Sequence, residues 1–167
     1  MKNLSSTNQW YLFPEDTGEI PEPKIYEWLT ETGLLTARLK ILCSKSFGLK
    51  VLDSPSKNIV SIKKRQILLF CGDTACIYAE TLIPKETITK HAWLASLGDE
   101  PLGERLRTQK NVSRSEFQYS LISPPRILLE YIASKSLLWA RRSIFKIGAY
   151  SISVTEIFLP GILDCDN

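Results

Sequence analysis

Two segments of this chain have the pattern of a β-hairpin, and they constrain the fold more than any other feature. Residues 59–84 contain two runs rich in β-branched and apolar residues, joined by the turn-forming sequence Gly72-Asp73-Thr74. Residues 137–159 repeat this arrangement around Gly148. Helical patterns are grouped before and between the hairpins rather than alternating with single strands. The sequence therefore predicts an antiparallel sheet in an α+β fold and disfavours a parallel βαβ fold.

Several shorter segments complete this prediction. The first twenty residues are polar with scattered aromatics and are expected to form an arm on the surface. Apolar residues at helical spacing predict four helices, which begin near Pro23, Leu34, Thr87 and Pro101, the second with Leu35, Leu39 and Leu42 on one side. Further strands are predicted around residues 49–52, before a turn at Ser54-Pro55-Ser56, and over residues 115–122, while residues 127–133 fit either a strand or a helix.

Size and composition limit the possible functions. The 167 residues are 44% hydrophobic and 23% charged, which is typical of one globular domain spanning residues 1–167. The net charge of +3 is too small to indicate nucleic-acid binding, although it suits an anionic small molecule. The chain has a single histidine, His91, which excludes a His–His metal site within this chain, and no role is assigned to it. No nucleotide-binding or zinc-hydrolase motif is present.

The spacing of the cysteines and the polar N-terminus predict a cytoplasmic protein. The four cysteines, Cys43, Cys71, Cys76 and Cys165, contain no CxxC pair, so we expect reduced and mostly buried thiols. A disulfide between Cys71 and Cys76 across the hairpin is the less favoured alternative. The polar N-terminus does not resemble a secretory signal, and no apolar run is long enough to span a membrane.

Two charged residues stand out because of the strands that carry them. In the last strand, Glu156 shares one face with Ile152, Val154 and Phe158 by period-two alternation, so its carboxyl group is expected in an apolar setting. Such a group suits acid–base chemistry or substrate binding, and a structural ion pair or a solvated strand edge is the alternative. Arg65 precedes an apolar strand and offers a planar fork for a carboxylate, although the pattern alone favours a solvated basic strand end, because Lys63 and Lys64 precede it.

Other candidate positions are less specific. Arg141 and Arg142 are adjacent on a strand and must face opposite sides, so at most one of them enters a given pocket. Leu102-Gly103 could bring its backbone close to a ligand or form a plain helix–helix turn. The basic residues between positions 105 and 114 (Arg105, Arg107, Lys110 and Arg114) are interpreted as a solvated face.

Four blocks of the sequence together resemble the chorismate pyruvate-lyase family. They are Glu27-Trp28-Leu29 with residues 33–39, Arg65-Gln66-Ile67-Leu68-Leu69 with residues 81–84, Leu97-Gly98 with residues 101–106 (Pro101-Leu102-Gly103-Glu104-Arg105-Leu106), and Leu138-Trp139-Ala140-Arg141-Arg142-Ser143 with residues 155–160. The blocks span most of the chain, and their order and spacing match the family. One departure is Glu80, which stands where the family often has arginine.

The resemblance implies both a fold and a reaction. The fold would be a single curved antiparallel sheet with helices on one side, which form flaps over a buried ligand cavity. The enzyme would convert chorismate to 4-hydroxybenzoate and pyruvate without metal or organic cofactor, feeding quinone (ubiquinone-type) biosynthesis. Arg65 would hold the ring carboxylate, Glu156 would contact the ring oxygen at the far end, and Leu102 and Leu35 would complete the site. We further expect Glu156 to hydrogen-bond the ether oxygen, donating its proton if its apolar setting keeps it protonated.

Other functions remain open at this point. The same kind of sheet could form a non-catalytic sensor for small aromatic acids, or a lyase that acts on a chorismate-derived acid and releases a different product. Partners would be small molecules rather than nucleic acid or membrane, and a monomer is the default expectation. A bacterial cytoplasm suits the chain best, with a plastid as the alternative location.

Overall fold

Both predicted hairpins belong to one antiparallel sheet. The computed structural model describes residues 8–52, 61–133 and 135–165, so the predicted turn at Ser54-Pro55-Ser56 lies outside the described residues. The strands are β1 (Phe47–Leu52), β2 (Ile62–Cys71), β3 (Thr74–Pro84), β4 (Val112–Arg114), β5 (Gln118–Ile122), β6 (Leu138–Ile147) and β7 (Tyr150–Phe158). They are ordered β1-β2-β3-β7-β6-β4, and β5 also pairs with β6. The predicted α+β fold with an antiparallel sheet is confirmed.

Short helices connect the strands. The α-helices are α1 (Pro23–Leu29), α2 (Leu35–Cys43), α3 (Lys85–Lys90) and α4 (Leu102–Arg107), and single 3₁₀ turns lie at Pro14–Thr17, Ser44–Ser46, Ala92–Ala95, Arg126–Leu128 and Pro160–Asp164. The helix predicted over residues 87–97 is divided, because the backbone of His91 leaves helical geometry after α3. The strand predicted over residues 115–122 is likewise shorter, and β4 precedes it. None of the helices in the described ranges is long and apolar enough to cross a bilayer.

The centre of the sheet is covered on both faces, which explains the uninterrupted apolar run in β2. On one face, α1 and α2 bury Trp28, Leu29 and Leu39 against Ile67, Leu69 and Ile77. On the other face, the segment around Leu128 packs on Leu68, Tyr78 and Ile157. The helical period brings Cys43, rather than the predicted Leu42, to the buried side of α2, and Leu42 is 38% exposed.

The expectation that all four cysteines are reduced is wrong. Cys43 at the end of α2 forms a disulfide with Cys71 at the end of β2, and their Cα atoms are 5.3 Å apart. The hairpin alternative is wrong as well, because the register of β2 and β3 pairs Cys71 with Thr74 rather than with Cys76. The bond joins the last turn of a helix to the sheet, a contact between distant segments that cysteine spacing does not reveal.

Glu80 lies in a buried polar cluster on the face of the sheet opposite α1 and α2. Its carboxylate forms an ion pair with Lys64, with Oε2 and Nζ 3.1 Å apart, and accepts hydrogen bonds from the Tyr78 hydroxyl and the Gln66 amide. Burial and the Glu80 charge raise the pKa of Tyr78 well above its ordinary value. The glutamate is therefore accommodated by a lysine on the neighbouring strand.

Gly161 allows the C-terminal 3₁₀ turn to pack against the start of β3. An added Cβ would overlap Cγ2 of Thr74 and would lie 2.5 Å from the carbonyl oxygen of Ala75. Because the second of these atoms belongs to the backbone, we expect Gly161→Ala to lower the free energy of unfolding by about 1–3 kcal/mol, measured by urea denaturation. Gly48→Ala is the matched control, since its Cβ would meet only Phe70 Cβ at an ordinary 3.6 Å; an equal loss in both variants would contradict the packing explanation.

Candidate active site

A cavity of about 70 Å³ lies between the sheet face that packs on α1 and α2 and the segments that begin α2 and α4. All four residues of the predicted site, Leu35, Arg65, Leu102 and Glu156, line this cavity. Its other walls are largely apolar, and they include Ile67, Leu69, Ile77, Ala79, Leu106, Phe145 and Val154. The four residues predicted from the sequence therefore border the same cavity.

Strand register explains why Arg65 and Glu156 meet in this space. Arg65 on β2 is opposite Thr81 on β3, whereas Glu156 on β7 is opposite Ala79 on the same strand. Because Thr81 and Ala79 are two residues apart, their neighbours Arg65 and Glu156 point to the same face of the sheet. The spacing of strands and residues separates the two Cα atoms by roughly 12 Å, and the space between the side chains is lined by apolar groups.

Arg65 is held at one end of the cavity. Its Nη2 donates hydrogen bonds to the carbonyl oxygens of Gly98 and Glu100, at 3.1 and 2.9 Å. Burial lowers the pKa of the Arg65 guanidinium, and the charge of Asp99 opposes this shift, but an arginine in a protein remains a cation. Within the part of the chain that the structure describes, Nη2 makes both of the side chain's hydrogen bonds, so Nη1 and Nε remain to bind an anion. The solvated strand end considered from the sequence is wrong, since Arg65 is 7% exposed.

Glu156 forms an ion pair with Arg141 at the other end of the cavity. Arg141 Nε donates to Glu156 Oε2 at 2.6 Å, and its Nη1 donates to the carbonyl oxygens of Leu29 and Glu31 at 3.0 and 2.6 Å. The guanidinium therefore binds carbonyl groups at and just beyond the end of α1 while it fixes the carboxylate of Glu156. The structural ion pair that the sequence left as an alternative for Glu156 is therefore present, and it orients the carboxyl group at this end of the cavity.

The structure distinguishes the two adjacent arginines. Arg141 is 1% exposed and faces the cavity. Arg142 points to the other side, where its Nε donates to Gln118 and its guanidinium stacks on the ring of Trp10. The prediction that only one of them enters the pocket is confirmed.

Arg114 lines the cavity, so the solvated face predicted for the basic residues between positions 105 and 114 is wrong for this arginine. Its Nη2 donates to the carbonyl oxygen of Thr32, and its guanidinium lies 4.5 Å from the ring centroid of Phe117 and 5.8 Å from that of Phe145. Burial and the charge of Arg141 lower the pKa of Arg114. Of the two ring contacts of Arg114, only the one with Phe117, three positions later in the chain, could have been inferred from the local sequence. Phe145 belongs to β6.

Two helical segments contact each other at the mouth of the cavity. Leu34, just before α2, packs so closely on α4 that a Cβ on Gly103 would lie 2.7 Å from the Leu34 side chain. Lys40 on α2 and Glu104 on α4 form an ion pair at 2.6 Å. A wider adjoining cavity of about 440 Å³ shares Leu34, Gly103 and Arg114 with the first. These segments therefore line both the first, inner cavity and the wider, outer one.

Comparisons with known proteins agree with the resemblance seen in the sequence. The family model described as chorismate lyase matches residues 6–166. The chain belongs to the chorismate lyase family. It is similar to proteins described as probable chorismate pyruvate-lyases from Cupriavidus pinatubonensis (33% identity; 84% of this chain and 83% of the relative), Shewanella sp. (32%; 91% and 88%) and Methylobacillus flagellatus (31%; 81% and 86%).

In this member of the chorismate lyase family, we expect Arg141 to contribute strongly to stability. Arg141→Met retains much of the side-chain volume but leaves Glu156 and several carbonyl groups without their donor. We expect it to lower the free energy of unfolding by roughly 3 kcal/mol, because the partly buried carboxylate of Glu156 and the carbonyl groups of Leu29 and Glu31 all lose the same donor. Chemical denaturation measures this loss. Arg142→Met is the matched control, and a similar loss in the control would contradict the role given to Arg141.

Proposed function

We propose that this chain cleaves chorismate into 4-hydroxybenzoate and pyruvate. The observation that carries the proposal is one cavity with a guanidinium at one end and an arginine-bound carboxylate at the other, separated by apolar walls. Such a space suits a flat ring that carries a carboxylate on one side and a hydroxyl group on the opposite side. Family membership supports the same substrate. We also propose that the chain forms a single lyase domain.

Arg65 binds the ring carboxylate in this proposal. A guanidinium forms short, charge-assisted hydrogen bonds with a carboxylate, and low exposure to water strengthens them. The carbonyl groups of Gly98 and Glu100 orient the guanidinium before the ligand binds. Leu102 and Leu35 enclose the ring from the two helical segments at the mouth of the cavity.

Glu156 binds the ring hydroxyl group of chorismate, which becomes the phenol of the product. In the reaction, the bond between the ring and the enolpyruvyl oxygen breaks, and the ring carbon that bears the hydroxyl group loses its hydrogen. That proton passes to the departing enolpyruvyl group, which is released as pyruvate. The carboxylate of Glu156, fixed by Arg141, accepts a hydrogen bond from the ring hydroxyl and orients the ring for this elimination. The ether oxygen, which leaves with pyruvate, is not its partner.

Arg114 binds the second carboxylate of chorismate, on the enolpyruvyl group. It lies in the wall shared by the inner and outer cavities, and its ring contacts fix the guanidinium there. Charge stabilisation at the leaving group lowers the energy of the transition state, in which negative charge develops on the enolpyruvyl oxygen. The outer cavity provides space for the released pyruvate.

The driving force for the reaction is aromatisation of the ring. We therefore propose that the protein needs no cofactor: its residues bind the two carboxylates, exclude water and orient the leaving group. The segments that carry Leu34 and Gly103 act as flaps, which must separate to admit chorismate and to release 4-hydroxybenzoate. A monomer in the cytoplasm, supplying a precursor of the quinone ring, is the setting that we propose.

The function is tested by mixing the purified protein with chorismate and coupling released pyruvate to lactate dehydrogenase. We expect Arg65→Ala and Glu156→Ala to reduce turnover by ~10²-fold or more, because each removes a contact that orients the reacting ring. Arg126→Ala, an exposed arginine on the other face, is the control. Binding of 4-hydroxybenzoate without release of pyruvate by the unmodified protein would instead indicate a sensor of aromatic acids.

Arg114→Ala separates the two carboxylate sites. Because only chorismate carries the second carboxylate, we expect the KM for chorismate to rise roughly 10-fold or more while the Kd for 4-hydroxybenzoate changes little. Steady-state kinetics and calorimetric titration of the product give these two values. Lys110→Ala, an exposed basic residue nearby, serves as the control. Equal weakening of both ligands by Arg114→Ala would place the arginine near the ring rather than near the enolpyruvyl group.

A further inference from the structure

All four cysteines of the chain converge at one end of the sheet. Cys43 ends α2, Cys71 ends β2, Cys76 lies near the start of β3, and Cys165 follows the 3₁₀ turn after β7. The disulfide joins residues 28 positions apart, and the other two cysteines are 89 positions apart. Packing of four separate segments therefore places every thiol-bearing side chain at the same location, outside the proposed active site.

Cys165 is the residue that connects the two pairs. Its Sγ lies 2.9 Å from Sγ of Cys76, and the sulfur atoms of Cys43, Cys71 and Cys165 all lie within 4.8 Å of one another. Exchange between a thiol and a disulfide requires a thiolate sulfur to reach a disulfide sulfur. We propose that these residues form an intramolecular thiol–disulfide exchange site, in which one disulfide moves between the Cys43–Cys71 pair and the Cys76–Cys165 pair.

The exchange balances without an external oxidant. Cys165 loses its proton, and its thiolate attacks Sγ of Cys71; the Cys43–Cys71 bond breaks, and Cys43 leaves as a thiolate that takes up a proton. Cys76 then loses its proton and attacks Sγ of Cys165. The Cys71–Cys165 bond breaks, Cys71 is protonated, and a Cys76–Cys165 disulfide remains. The protein contains one disulfide and two thiols before and after the exchange.

The four cysteines differ in burial, which determines which of them an external reagent can reach. Cys43 and Cys76 are buried, whereas Cys71 and Cys165 are partly exposed. An external thiol or disulfide of low molecular weight would therefore react first at Cys71 or Cys165. Burial and the neighbouring Cys165 raise the pKa of Cys76, and the carbonyl oxygens of Thr74 and Gly161, 3.3 and 3.8 Å from its sulfur, are acceptors for its one S–H group. These contacts favour the thiol form of Cys76 and hence the resting Cys43–Cys71 disulfide.

The position of the disulfide determines how α2 is attached to the sheet. In the resting form, the last residue of α2 is covalently bound to β2, and the first residue of the same helix, Leu35, lines the cavity. After exchange, the covalent link instead joins β3 to the C-terminal segment. The exchange therefore releases one end of α2 from the sheet.

Disulfide mapping tests the exchange. Fully reduced protein is treated with one equivalent of glutathione disulfide, freed of glutathione, incubated at pH 7 and pH 8.5, quenched with acid, alkylated and digested for mass spectrometry. We expect both Cys43–Cys71 and Cys76–Cys165 links in the unmodified protein. Their ratio should relax at a rate that is independent of protein concentration and faster at the higher pH, because the thiolate fraction increases.

Two variants separate the steps. In Cys76→Ser, which cannot complete the exchange, we expect the intermediate Cys71–Cys165 link to be recovered beside the Cys43–Cys71 link. In Cys165→Ser, only the Cys43–Cys71 link should form, and Cys76 should be recovered as a thiol. Circular dichroism shows whether each variant is folded. If Cys165→Ser does not fold, Cys165→Ala is used in its place. Recovery of Cys165 only as a thiol, in the unmodified protein and in Cys76→Ser, would overturn the proposal. Stoichiometric Zn²⁺ binding by the reduced protein that protects all four thiols would also overturn it.

Discussion

The buried guanidinium of Arg141 is the interaction on which the arrangement of the cavity depends. One side chain from β6 binds carbonyl groups at the end of α1 and the carboxylate of Glu156 on β7. It also stacks on Phe117, with 4.0 Å between the guanidinium carbon and the ring centroid. Burying a charge is costly unless its donors are all used, and here several acceptors surround the group. The position of α1 over the sheet and the orientation of Glu156 are therefore determined together.

Antiparallel pairing gives this small chain a site with chemically different ends. Arg65 and Glu156 are on strands separated by β3, and the register assigns both to the face that α2 and α4 cover. The other face has its own apolar cluster and the polar cluster around Glu80, so it contributes to stability independently of the cavity. Because the hairpins fix the register, the distance between the two charged ends depends on backbone hydrogen bonds rather than on flexible loops.

The features that could be predicted from the sequence are those that depend on neighbouring residues in one strand. Alternation in β7 placed Glu156 on a buried face, and adjacency placed Arg141 and Arg142 on opposite sides. Arg65 and Leu102 were selected largely by resemblance, since their immediate neighbours also fit a solvated strand end and a plain turn. Contacts between distant segments could not be predicted: Arg114 is enclosed partly by Phe145 from another strand, and Cys43 reaches Cys71 only after α2 packs on the sheet. Leu42 was misplaced for a related reason, because several faces of a short helix fit the spacing of its apolar residues.

The charges of the cavity match the proposed substrate in number as well as in position. Its lining, within the described residues, contains three arginines and one glutamate, Arg65, Arg114, Arg141 and Glu156. Since Arg141 and Glu156 are paired, two cations remain for a ligand with two carboxylates. Burial lowers the pKa of Arg114, and the charge of Arg141 lowers it further, so a carboxylate bound there would relieve repulsion as well as add attraction. In the proposed reaction, the product would retain only the carboxylate assigned to Arg65, and the pyruvate that carries the other charge would leave through the wider outer cavity.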